Sequence, residues 1–358
     1  MAKAPKKTAA KKAKTTAKKV ASKSVETEAA KKAVSKKTTA KKTTTAAKKA
    51  AAKKPAAQKK TNAQKKTKQV KSSTKGGKNV TGYGGGSVDV VMSVDQVAKE
   101  AASIAANAPT HKELLKLASN EPLLTIDNLR AGYGKMEILH EFSLEVGKGQ
   151  SLCLIGPNGA GKSTVLHSIF GFTNIFSGKI SISGKDVTHL TPSQKLGEAG
   201  IAYILQDKSV FPQMTVEENL LMGGFLKNKP VEAKAAADMV FEKYSRLAER
   251  RDKPAGVLSG GERRLLEISR ALVMNPEVLL VDEPSIGLEP RFIDMVFEIL
   301  SDLQHKDGKT IIMVEQNAKK GLSFADIGYV LVSGETAIAD SGNDLLENPD
   351  VGRLFLGG

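Results

Sequence analysis

Beyond residue 121 the chain alternates two hydrophobic patterns. Short apolar runs predict strands at Leu123–Leu129, Phe142–Val146, Ser151–Ile155, Lys179–Ile182, Ile201–Leu205, Val278–Val281, Thr310–Val314 and Ile327–Val332. Between them, helical stretches are predicted at Lys162–Phe170, Thr215–Met222, Val231–Tyr244, Gly260–Met274 and Pro290–Gln304. The runs around residue 155 are continuously apolar, which fits parallel strands covered on both faces. Strands alternating with helices predict an α/β body over residues 122–358.

The pattern changes upstream. In residues 88–121, Val94, Val97, Ala101 and Ile104 recur at helical intervals, and Ser93 with Gln96 has the form of a capping box. Thr110 and Glu113 repeat that signal before Leu114, Leu115 and Leu117, so a short helical extension is expected here. Residues 1–80 contain no Leu, Ile, Phe, Tyr or Trp and are built on recurring Ala-Lys-Lys. With nothing to bury and many like charges, this stretch is expected to be disordered. Gly76-Gly77, Gly82 and Gly84-Gly85-Gly86-Ser87 then predict a flexible linker, closing a tail over residues 1–87.

Charge sharpens that division. The net charge of +17 hides a tail with 27 Lys, no Arg and only Glu26 and Glu28 as acids, followed by a body that is net acidic. Cys153 is the sole cysteine, so no intrachain disulfide can form and a reducing compartment is expected. Its expected place is a buried strand, as a small apolar residue. No apolar run is long enough to span a bilayer, and the N-terminus lacks an apolar secretory core.

The chemistry begins where the Ser151–Ile155 run ends. Gly156, Pro157, Asn158, Gly159, Ala160, Gly161, Lys162, Ser163 and Thr164 complete a G-x-x-x-x-G-K-[ST] phosphate loop. A strand feeding such a turn and then a helix converges backbone N–H groups on one point, a cradle for a polyphosphate. Lys162 is placed to reach the β- and γ-phosphates, and Ser163 to offer a hydroxyl to Mg²⁺. The Val278–Val281 run ends in Asp282-Glu283, which puts two acids at the carboxyl edge of the sheet. Asp282 suits the Mg²⁺ shell, and Glu283 suits the orientation or deprotonation of an attacking water.

Leu258-Ser259-Gly260-Gly261-Glu262 resembles the signature motif of ATP-binding-cassette (ABC) ATPases. Ser259, Gly260 and Gly261 open a helix whose N-terminal amides can meet a γ-phosphate. The resemblance implies a phosphate-loop NTPase fold: a parallel-sheet core, a small antiparallel β subdomain and a helical signature subdomain. It also implies that this motif completes the site of a second cassette, whether a copy or a different chain. Further roles follow from the resemblance. Tyr133 matches the aromatic residue that stacks on adenine, and Gln206 the loop glutamine that senses Mg²⁺ and water. Gly287-Leu288-Glu289 matches the dimer-contact loop, with Glu289 where Asp is common. Gln316 stands where most relatives carry a switch histidine; its amide can hydrogen-bond a γ-phosphate but cannot titrate, which leaves Glu283 to activate water.

Gln316, with the stretches around Tyr133, Met214–Leu220, Asp282–Leu288 and Phe355–Gly358, resembles the second ATPase of branched-chain amino acid importers. Importers of urea and short amides share much of this pattern. The resemblance implies a peripheral subunit on the cytoplasmic face of the inner membrane, bound to permease subunits and served indirectly by a periplasmic binding protein. Residues Phe211–Gly224 match the surface that receives a permease helix, although their apolar members also suit a core. A soluble ABC protein acting on nucleic acid is the rival class, and such proteins usually carry two cassettes in one chain. The tail resembles lysine-alanine tails of linker histones. It is expected to meet anionic lipid, nucleic-acid phosphates, or no specific partner. Without Arg or aromatic residues among its lysines it has no means of reading bases.

Overall fold

In the computed structural model, the described residues are 109–114, 116–118, 122–206 and 209–356. The tail, the linker and the helix expected around Val94–Ile104 lie outside them. The expected helix after Thr110 is present as α1, His111–Leu114. Glu113 reaches back to accept from the Thr110 backbone N–H and hydroxyl, both at 2.8 Å. Leu114 is buried in the main core, and the Leu117 carbonyl accepts from Gln150 Nε2 at 3.3 Å. This end of the extension therefore packs on the body.

Two sheets organise that body. The first is antiparallel, in the order β2–β1–β4–β5, from β1 (Pro122–Tyr133), β2 (Met136–Gly147), β4 (Asn174–Ile182) and β5 (Lys185–Asp186). The second has the order β10–β9–β3–β8–β7–β6, from β3 (Ser151–Ile155), β6 (Ile201–Ile204), β7 (Val278–Asp282), β8 (Thr310–Val314), β9 (Ile327–Val332) and β10 (Glu335–Ser341). All its pairings are parallel except β9 with β10.

The continuous apolar runs have the expected cause. Leu152, Leu154, Leu280, Ile312 and Val314 face a core shared with the antiparallel sheet and α2 (Lys162–Phe170). Cys153, Ile155, Leu279, Val281, Ile311 and Met313 face the opposite core. That second core is closed by α8 (Pro290–His305), α9 (Ala318–Phe324), α10 (Gly342–Glu347) and α11 (Pro349–Phe355). A third core belongs to a helical subdomain: α4 (Val216–Gly223), α5 (Pro230–Lys243), α6 (Ser245–Ala248) and part of α7 (Gly260–Leu272). Helix α3 (Pro192–Gly197) buries Lys195, whose ammonium donates to the Ser168 and Ile169 carbonyls at the end of α2. A cation suits that helix end because the last carbonyls carry partial negative charge.

Within the described residues the expected strands and helices are all present, with some ends moved. β1 runs on to Tyr133 past a bulge at Asn128, whose φ of 45° breaks the apolar alternation that set the expected end at Leu129. β10 is an addition the sequence pattern did not predict.

Candidate nucleotide site

Four parallel strands deliver the expected chemistry to one edge. In spatial order, β3 ends in the phosphate loop, β8 in Glu315-Gln316, β7 in Asp282-Glu283, and β6 leads to Gln206. Ligands of open α/β sheets bind at such carboxyl ends.

The loop is built around close approaches. At Gly156 φ is +144°, and a Cβ there would stand 2.2 Å from the Leu331 carbonyl oxygen of β9, so only glycine fits. The Ala160 N–H donates to the Pro157 carbonyl at 3.2 Å. Asn158 and Gly159 face solvent, while Ala160, Gly161, Lys162 and Thr164 are buried. Helix α2 starts after Gly161 with no side-chain cap and no acid in its first turn. Its leading amides therefore suit an anion. Lys162 folds over its own loop, donating to the Gly156 and Pro157 carbonyls at 2.8 and 2.9 Å. Burial pushes its ammonium below the ordinary lysine value, against the pull of the Glu283 and Asp282 charges.

Ser163 and Asp282 meet as expected, the hydroxyl donating to Oδ1 at 3.2 Å. Asp282 Oδ2 accepts from the Tyr203 hydroxyl at 2.8 Å. A hydroxyl beside a carboxylate is the hard-oxygen donor set that Mg²⁺ takes together with phosphate and water, and needs no cage of several acids. Among the described residues no cluster of three or more His, Cys, Asp or Glu forms such a cage.

Glu283 stands beside this pair on unusual backbone. Its φ is 42°, and its N–H donates to the Val314 carbonyl at 2.9 Å. Gln206 Nε2 donates to Glu283 Oε2 at 2.7 Å, which joins the ends of β6 and β7. Partial burial raises the Glu283 carboxyl above its ordinary value, and the neighbouring Asp282 charge adds to the rise. Gln316 is exposed at the end of β8.

Tyr133, the last residue of β1, is 40% exposed; its hydroxyl contacts His167 Nδ1 on α2. His167 also packs 5.8 Å from the Tyr203 ring, so an aromatic group links Tyr133 to the partner of Asp282. Sequence reading missed His167 and Tyr203, which belong to no recognisable motif.

Ser259 caps α7 through a reciprocal box: Glu262 N donates to Ser259 Oγ at 3.3 Å, and Ser259 N donates to Glu262 Oε2 at 2.9 Å. Ser259 and Gly260 are exposed, whereas Gly261 is buried. A Cβ at Gly261 would stand 2.3 Å from Phe292 Cδ1, so this glycine also serves the packing of α7 against α8. Gly260, Ile286, Gly287, Leu288 and Gln206 line one cleft of about 400 Å³. Arg264, buried and paired with Glu267 at 2.9 Å, donates to the Leu205 carbonyl at 2.7 Å and so ties α7 to the strand end before Gln206. That link, between residues 59 positions apart, was also missed in the sequence.

The ABC transporter family profile matches residues 139–286. The high-affinity branched-chain amino acid transport ATP-binding protein BraG of Pseudomonas aeruginosa is 44% identical over 236 residues, covering 66% of this chain and all of the relative. The probable branched-chain amino acid transport ATP-binding protein LivF of Archaeoglobus fulgidus is 37% identical, covering 66% and 99%. The lipopolysaccharide export ATP-binding protein LptB of Haemophilus influenzae is 32% identical, covering 66% and 97%. Among solved structures, a nucleotide-free ATP-binding cassette from an ABC transporter superposes with a TM-score of 0.59 at 29% identity, covering 66% of this chain and 100% of that one. With the phosphate loop, the paired acids and the signature helix assembled on this fold, the chain belongs to the ATP-binding subunits of ABC transporters and is an ATPase of that family.

Proposed function

We propose that this chain powers a membrane importer of branched-chain amino acids, seated on the cytoplasmic side of its permease. The observation that carries the reading is the row of strand ends. Ser163 bonds Asp282 there, Gln206 bonds Glu283, and Lys162 feels the charge of both acids, on a chain 44% identical to BraG along that relative's whole length.

The residues divide the work. Tyr133 offers its ring face to adenine. Gly156, Pro157, Asn158, Gly159, Ala160, Gly161 and Thr164 shape the phosphate cradle, and Lys162 exchanges its two carbonyl partners for β- and γ-phosphate oxygens. Ser163, Asp282 and Gln206 would hold Mg²⁺, which supplies charge neutralisation on the phosphates when bound. Glu283 orients the attacking water and accepts its proton; a raised carboxyl is a better base at neutral pH. Gln316 donates its amide to the γ-phosphate without exchanging a proton. Ser259, Gly260 and Gly261 of a second cassette close over the nucleotide from the far side.

Coupling to the permease uses the helical subdomain. Phe211, Met222 and Phe225 are exposed around a hollow of about 270 Å³, with the Arg270 guanidinium 5.5 Å above the Phe211 ring. An amphipathic helix from the permease fits such a groove. The periplasmic binding protein acts through the permease alone. The lysine tail adds attraction to anionic lipid, worth about 1 kcal/mol per lysine held near the surface.

The test is Glu283→Gln in the assembled transporter. ATP binding is retained while turnover and uptake of labelled leucine stop. Normal turnover in that variant removes Glu283 from its role, and uptake of urea in place of leucine by the wild type removes the substrate assignment.

A further inference from the structure

The most enclosed carboxylate near the reacting edge belongs to Glu315, which no phosphate or metal role employs. It is 1% exposed, at the point where β8 ends. Oε1 accepts from the Ser285 hydroxyl at 2.6 Å and from the backbone N–H groups of Gln316 and Asn317, each at 3.0 Å. Oε2 accepts from the Ser285 backbone N–H at 3.4 Å. Four donors thus converge on one buried anion, and they come from two separate loops.

The position of those loops gives the contact its meaning. Ser285 lies two residues after Glu283 and two before Gly287, so it sits inside the segment joining the proposed water-activating acid to the dimer-contact loop. Gln316 follows Glu315 directly. Strands β7 and β8 pair in register up to Asp282 opposite Val314, and beyond that point the ladder no longer holds the two loops together. The Glu315 carboxylate takes over there. Its stem is closely packed: a Cβ on Gly321 of α9 would stand 3.0 Å from Glu315 Cβ and 2.6 Å from Cys153 Sγ, so α9 lies tightly against it. Buried hydrogen bonds to a charged acceptor are among the strong ones, and losing one partner leaves the rest uncompensated.

We infer that Glu315 is a positioning residue for ATP hydrolysis: its carboxylate clamps Ser285 to the Gln316 loop and so fixes the spacing between Glu283 and the amide that meets the γ-phosphate. This rests on the proposed roles of Glu283 and Gln316. The clamp touches neither nucleotide nor water. It therefore acts on kcat, where misplacement of about 1 Å can cost roughly a hundredfold, and leaves nucleotide affinity in place.

The experiment compares Ser285→Ala, Ser285→Thr and Glu315→Gln in the full chain assembled with its permease. It measures kcat, KM, MgATP affinity in a Glu283→Gln background, and thermal midpoint. Ser285→Ala is expected to lower kcat about tenfold with MgATP affinity changed less than about threefold, and Ser285→Thr, which keeps a hydroxyl, to restore most of the loss. The double variant Glu315→Gln/Ser285→Ala is expected to lose no more than the worse single variant, because both break one clamp. Three results overturn the proposal: Ser285→Ala turning over within about twofold of wild type, a kcat loss fully explained by a smaller folded fraction, or strictly additive losses in the double variant. Glu283→Gln runs alongside as the control for the hydrolytic reading. If it is inactive while Ser285→Ala is normal, the clamp alone fails; if it is fully active, the assignment of Glu283 fails, and with it the basis of the clamp.

Discussion

Gly261 offers a stringent check on how the signature helix is held. A methyl group there would meet Phe292 at 2.3 Å from Cδ1, 2.6 Å from Cε1 and 2.9 Å from Cγ. Carbon atoms rest about 3.5 Å apart or more, so the ring or the helix must retreat by roughly 1.2 Å. Phe292 is half-buried and can yield only in part. Overpacking of this kind costs about 1–3 kcal/mol, which for a body of this size lowers the melting midpoint by about 2–4 °C per kcal/mol. The same substitution in a Phe292→Ala background removes the obstacle. There, alanine is no worse than glycine and gains up to about 1 kcal/mol from helix propensity. Urea unfolding of Gly261→Ala, Phe292→Ala and the double variant, followed by circular dichroism, reads the coupling directly. A coupling of at least about 1 kcal/mol is expected, with unchanged m-values. If Gly261→Ala costs the same with and without the Phe292 ring, the packing argument is wrong, and the glycine is required for something other than α8.

Other outcomes follow from the same geometry. Lys162→Ala removes the ammonium that faces the cradle and is expected to weaken MgATP binding at least about tenfold; equal affinity by equilibrium dialysis contradicts the cradle. Lys195 supplies a pH signature. Burial pushes its ammonium down to about 8 from an ordinary 10.5, so between those values the unfolded chain holds a proton that the native state has released. This group therefore makes stability rise with pH across that window, by at most about 3 kcal/mol, and its buried charge costs most below pH 8. Urea midpoints of Lys195→Met between pH 8 and 10 should show a flatter rise than wild type, and an identical slope dismisses the assignment. For the tail, removing residues 1–80 should abolish a salt-sensitive fraction of binding to anionic vesicles; binding that ignores both salt and truncation rules out the electrostatic role.

The strand ends were legible because parallel strands covered on both faces read as unbroken apolar runs, and the phosphate loop and Asp282-Glu283 sit where those runs stop. β10 was not legible. Its residues, Glu-Thr-Ala-Ile-Ala-Asp-Ser, form an edge strand that is half exposed and carries no steady alternation. Short α3, α9, α10 and α11 escaped because fewer than two full turns give too few repeats to establish a period. Within the site, the positions of Lys162, Ser163, Asp282 and Glu283 followed from spacing alone. The contacts that orient them did not: Tyr203 to Asp282, Arg264 to Leu205 and Glu315 to Ser285 join residues far apart in the chain. The stretch Phe211–Gly224 divides between its two readings, with Leu220 in the subdomain core and Phe211 and Met222 on the surface.

Glu283 carries a consequence for how this protein can change. A left-handed backbone disfavours any side-chain-bearing residue by about 1–2 kcal/mol, and here that residue is the one assigned to water. Replacing it with glycine would relax the turn and harden the molecule against heat while ending its chemistry. Selection for sturdiness and selection for turnover therefore pull against each other at this one position.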